Sequence, residues 1–203
     1  MTTKYGFSDV RDQLIKDLKG AYPTKWEDFR ATKVLGEDVF GSPKPHPNTV
    51  LNLFIEQNIR FAIPFATYRA STRGFSALVN DGPGVTLTRR TLATTVHGMH
   101  VIRSMASYAA HAIVYEGNLW TCADEACILK GDIKHTAEWV ELRRKIHNSM
   151  IADREGGVLT PPLLGLLCPE CTRDIEVIHA QWRSLFWENL PSLFGVSDSW
   201  SDL

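Results

Sequence analysis

"LLGLLCPECTRDIEVIHAQW", residues 163–182, sets Cys168 and Cys171 three positions apart at the start of a helical pattern. The residues after the second cysteine decide the fold. Ile175, Ile178, Trp182 and Leu185 recur at helical spacing and mark one apolar stripe, with Pro191 as its stop. Similar spacing recurs upstream. "SDVRDQLIKDLKGAYP" (8–23) offers Ser8 as N-cap, Val10, Leu14 and Leu18 as a stripe, and Gly20 as stop. "TKWEDFRATKVLG" (24–36) opens with a Thr24–Glu27 capping box and puts Trp26 and Phe29 on one side.

"TVLNLFIEQN" (49–58) turns Val50, Leu51, Phe54 and Ile55 inward, and Pro64 suits the first turn of the helix after it. Thr91–Tyr115 reads as a long, mostly buried helix rich in small residues. "HTAEWVELRRKIHNSMI" (135–151) is amphipathic through Trp139, Leu142, Ile146 and Met150. No stretch sustains an alternation of period two, so the expected fold is mainly α, a multi-helix array. Residues 1–196 form one helical domain in this reading, with a subdomain break at "NDGPG" (80–84). Residues 197–203, "SDSWSDL", form a polar, acidic and frayed tail.

The 203 residues carry 44% hydrophobic and 22% charged side chains and a net charge of −1. That balance suits a globular chain and disfavours nucleic acid as a partner. The basic clusters at 88–90 and 143–145 are short and read as solvated helix faces. The start lacks the pattern of a secretory signal, and the apolar run Ser104–Tyr115 is shorter than the roughly 18 residues that span a bilayer. The expected location is intracellular, cytoplasmic or nuclear, where thiols stay reduced and disulfide frameworks are rare.

Four cysteines in such a setting ask for another role. They come as two pairs, Cys122 with Cys127 in "TCADEAC" and Cys168 with Cys171 in "CPEC". Tetrahedral zinc takes two thiolates from each of two short knuckles, with two to four residues between partners. The second pair has the tightest such spacing and the first the loosest. Four thiolates leave no open coordination position, so the expected site is structural and joins the C-terminal helix to the middle of the chain. His135 is a substitute fourth ligand, ranked below the cysteines.

Two other readings stand beside zinc. Reduced, buried cysteines can act as small hydrophobes. "CPEC" before a helix can also serve a thiol-dependent redox enzyme, because a helix N-terminus stabilises the thiolate. A thioredoxin-like motif, however, needs a preceding strand in a βαβ setting, and the neighbourhood reads as helical. No zinc-deaminase pattern, nucleophile elbow or phosphate loop occurs. His97 and His100 lie one turn apart in a segment without Asp or Glu, and read as hydrogen-bonded structural histidines. No catalytic residue is assigned.

The ordered set "PHPNTVLNLFIEQNIRFAIPFATYRAS", "LTRRTLATTVHGMHVI", the cysteine knuckles and "WRSLFWENLPSLFGV" resembles the C-terminal region of the BTB/POZ-domain proteins of mushroom-forming (basidiomycete) fungi. The positions that carry it are Pro64 and Tyr68, Leu87 and Leu92, the four cysteines, then Trp187, Leu190, Pro191, Phe194 and Gly195, and it spans about Pro45 to Val196. The preceding BTB fold is not legible, since the first forty residues read as two helices. The resemblance therefore implies a helical, partner-binding module with an unknown protein partner, and not a cullin-linked adaptor. Trp182, Phe186, Trp187 and Phe194 are its candidate contact patch if exposed, and core if not.

Overall fold

The computed structural model describes residues 7–31, 40–41, 45–72, 87–115, 122, 137, 140–141, 144 and 167–203. The regular elements among them are helical. They are α1 (Phe7–Ala21), α2 (Trp26–Ala31), α3 (Pro47–Glu56), α4 (Ile63–Thr72), α5 (Arg89–Tyr115), α6 (Pro169–Glu188) and α7 (Leu190–Leu193), with 3-10 turns at Arg60–Ala62 and Trp200–Asp202. The mainly α expectation holds. None of these helices is long and apolar enough to cross a membrane. Ala137, Val140, Glu141 and Arg144 are also helical, within the segment read as amphipathic. The apolar row of that segment and the "NDGPG" break lie outside the described residues.

The chain divides into two units, Met1–Gly98 with Trp187–Leu203, and Met99–Phe186. In the first unit the core is aromatic. Trp187 is 1% exposed. Its ring lies 4.6 Å from Phe29, 5.5 Å from Phe65, 6.0 Å from Trp26 and 5.9 Å from Trp200, centroid to centroid. Trp26 and Phe29 stack at 5.4 Å, as their spacing on α2 predicts. Tyr22, just past α1, meets Phe54 and Phe65 edge-on. A buried indole needs a partner for its N–H. Trp187 Nε1 donates to the Thr24 carbonyl at 3.2 Å, and Trp200 Nε1 donates to the Trp187 carbonyl at 2.8 Å.

That packing corrects several expectations. Residues 197–203 are tied down rather than frayed, because Trp200 stacks on Trp187 and Ser199 caps the final turn. Trp187, Phe186 and Phe194 are buried and Trp182 is half-buried, so the first three belong to cores and not to a contact patch. α2 opens at Trp26, one residue later than the Thr24 capping box requires. α1 begins at Phe7 and runs through Gly20 to Ala21. Leu14 points to solvent at 57% exposure, so the α1 stripe does not run through it. In α3, Val50, Leu51 and Phe54 are buried as expected, while Ile55 is half-buried. Pro191 does not end α6, which stops at Glu188; it occupies the first turn of α7, where its missing N–H costs nothing.

Local chemistry sets the helix ends. At α3, His46 is the N-cap and its Nδ1 accepts from the Asn48 N–H, so that nitrogen is unprotonated. α3 closes in a Schellman motif. Ile59 N–H donates to the Phe54 carbonyl at 2.9 Å, and Asn58 takes the left-handed conformation. α7 closes the same way, with Val196 N–H donating to the Pro191 carbonyl and Gly195 at φ 65°. Arg60 Nη2 then donates to the Val196 carbonyl at 3.1 Å. His97 Nε2 is 3.1 Å from the Leu193 carbonyl, which can only accept, so Nε2 carries the proton.

α4 and the first part of α5 approach closely because position 98 is glycine. A Cβ there would lie 3.0 Å from Thr67 Cγ2, 3.2 Å from Ser71 Cβ, and closer still to Ser71 Oγ. That hydroxyl already donates to the Thr95 carbonyl at 3.1 Å. Alanine in a helix interior gains about 1 kcal/mol over glycine, but overpacking a tight contact costs about 1–3 kcal/mol. Gly98→Ala is expected to destabilise the protein by up to about 2 kcal/mol net. Adding Ser71→Ala should recover part of that loss, a positive coupling measurable by urea denaturation of the two single variants and the double.

Candidate metal centre

α6 begins where its sequence says a helix should. Cys168 is the residue before the first turn, Pro169 comes next, and Glu170 adds a negative charge near the helix N-terminus. The Thr172 N–H donates to the Cys168 carbonyl at 2.9 Å, the first helical bond. The Cys171 N–H lies 3.5 Å from Cys168 Sγ and points its proton at it. Cys168 thus caps α6 with sulfur in the place usually taken by a serine or aspartate oxygen. The tight turn also brings the Cys171 side chain to the same side as that of Cys168.

Cys122 joins them from 46 residues upstream, its Sγ 3.5 Å from Cys168 Sγ. All three sulfurs lie within 4.8 Å of one another. None of them is in a disulfide. Cys168 and Cys171 are buried, at 8% and 5% exposure, and Cys122 is half-buried. Two thiolates at that separation repel by about 5 kcal/mol at an effective dielectric of about 20. The trio cannot sit fully ionised without a cation among the sulfurs, and protons shared between them are the other way to hold it. Zinc–sulfur bonds of about 2.3 Å give a tetrahedron with sulfur–sulfur edges of about 3.8 Å. The observed separations bracket that edge, so the three cysteines could hold a metal ion.

Three of the four cysteines proposed from the sequence are therefore together, one from the first pair and both from the second. Cys127 and His135 lie outside the described residues. His97 and His100 are exposed, and neither joins this or any other metal-competent group among the described residues.

Sequence reasoning overlooked His179. It lies eight residues beyond Cys171 on the face shared by Ile175, about 12 Å along the helix axis, too far to reach the sulfurs. Its side chain is fully buried. Neither ring nitrogen has a hydrogen-bond partner among the described residues. Its spacing from two buried positions, Cys171 and Ile175, was the available signal. The expected stripe instead ran through Leu185, which is 47% exposed. Burial, with the Arg183 guanidinium one turn on, pushes the His179 pKa down to about 4.

Below pH 6.5 an unfolded histidine takes up a proton that the folded His179 refuses until about pH 4. The unfolded state binds more protons in that window, so stability falls as pH falls through it. Urea midpoints compared between wild type and His179→Leu should show the wild type losing about 3 kcal/mol more than the variant between pH 7 and pH 4.

Compared with known protein families, with curated proteins and with solved structures, the chain matches none.

Proposed function

We propose that the chain is a non-catalytic helical interaction module whose Met99–Phe186 unit is stapled by one structural zinc ion. The observation that carries the proposal is the convergence of Cys122, Cys168 and Cys171 within 4.8 Å. Cys127 supplies the fourth thiolate in this reading, four residues between it and Cys122 in the loosest knuckle spacing that zinc takes. His135 is the substitute. A zinc with four protein ligands has no position for substrate or water, which makes its role architectural. Sulfur suits zinc better than a hard cation, and the buried surroundings of Cys168 and Cys171 favour neutralised thiolates.

The interaction role rests on the resemblance to the helical region of BTB-type proteins and requires a protein partner. With Trp187, Phe186 and Phe194 buried, the contact surface lies elsewhere on the helices. A reducing compartment, cytoplasm or nucleus, keeps the thiols available for the metal.

Full-length protein purified without chelator is expected to carry one zinc per chain by plasma mass spectrometry. At a thousandfold excess of zinc over its Kd, binding contributes about 4 kcal/mol. For a chain of this size that is a rise in Tm of roughly 8–16 °C, which a chelator such as TPEN should remove. Cys168→Ser and Cys171→Ser are each expected to abolish stoichiometric zinc. A metal-free native chain whose Tm ignores both zinc and chelator would overturn the proposal.

A further inference from the structure

The three sulfurs are unequal in access and in neighbours. Cys122 is half-buried, so a small solute can reach it, whereas Cys168 and Cys171 are screened from solvent. Cys168 is the common neighbour, 3.5 Å from Cys122 Sγ and 3.5 Å from the Cys171 N–H. A disulfide between Cys122 and Cys168 requires their sulfurs to close from 3.5 Å to about 2.05 Å. Thiolates gathered this closely can be held by a cation or joined by a covalent bond, and the same side chains serve both states.

We propose that this cluster is a peroxide-responsive metal clasp, in which oxidation exchanges the zinc for a Cys122–Cys168 disulfide. The inference rests on the zinc reading given above. In the first step the Cys122 thiolate attacks a peroxide oxygen. The O–O bond breaks, Cys122 becomes a sulfenic acid, and hydroxide leaves. In the second step the Cys168 thiolate attacks the Cys122 sulfur, the S–S bond forms and a second hydroxide departs. Two thiolates have then given up two electrons, and hydrogen peroxide has been reduced to two hydroxides, which take up protons as water. The ion has lost two of its anionic ligands and leaves hydrated.

Cys122 is the entry point because it is the most accessible of the three, and Cys168 resolves because its sulfur is already in contact. A Cys168–Cys171 bridge is the competing product. It would leave position 122 untethered, whereas the Cys122–Cys168 bond ties the same two segments that the metal ties. The oxidised chain thus keeps its cross-link while releasing its ion.

The test uses the full-length, zinc-loaded chain. Zinc content is measured first, then hydrogen peroxide is titrated in with a chromogenic zinc chelator present. Products are alkylated and mapped by peptide mass spectrometry without reduction. The expected result is release of one zinc per chain together with a peptide linking Cys122 to Cys168, both reversed by dithiothreitol and added zinc. Zinc retained at peroxide concentrations that oxidise a control thiol peptide overturns the inference and leaves the zinc reading intact. Release accompanied by a Cys168–Cys171 link, or by sulfinic acid at Cys122, does the same. A chain with no zinc before oxidant is added overturns both.

Discussion

The indole of Trp187 meets side chains from α2, α4 and the final turn, and its one polar atom is satisfied by the Thr24 carbonyl. Burying a side chain of this size, about 200 Å² at about 25 cal/mol per Å², is worth about 5 kcal/mol, comparable with the net stability of a marginal domain. It also fixes positions. Thr24 can accept from the indole only if the α1–α2 turn is in place. Trp200 can stack only if the chain doubles back after α7, and that return depends on Pro191 starting α7 and Gly195 ending it in a left-handed turn. The Leu190, Pro191, Phe194 and Gly195 positions thus have a physical meaning of their own, as a short capped helix that delivers the last turn to the aromatic core.

Polar contacts between α3 and α5 reinforce that packing in one direction. Thr91 Oγ1 donates to Asn52 Oδ1 at 2.6 Å, and Asn52 Nδ2 donates to Glu56 Oε1 at 2.8 Å. Thr91 has given away its only hydroxyl proton, so the 2.9 Å contact with Thr88 has Thr88 as donor. Thr88 also accepts from the Thr91 N–H, which makes it the N-cap of α5. Each donated proton in this series thus has one acceptor.

Periodicity made the helical class and the inward faces of α2 and α3 legible, since Trp26, Phe29, Val50, Leu51 and Phe54 fall where their spacing puts them. It misled on α1 and α6. An apolar residue at the right spacing is buried only where another element covers it, and Leu14 and Leu185 both stay largely in contact with solvent. Long-range contacts were not readable at all. Trp187 with Thr24, and Trp200 with Trp187, join residues whose partnership no local pattern announces. His179 was missed for a related reason, because a lone histidine looks polar until the two apolar turns before it are seen to share its face. The cysteine pairs were legible because their spacing matches the short knuckles that zinc takes, and the structure brings three of the four together across 46 residues.

Cys168 carries two duties in one atom, closing the first turn of α6 and facing Cys122. An oxygen in its place can perform the first duty at least as well and the second hardly at all. Relatives of this chain could therefore shed the cluster through a one-atom exchange of sulfur for oxygen while the helix still starts at the same residue, so the presence of the helix in such a sequence says nothing about whether the three-sulfur cluster survives.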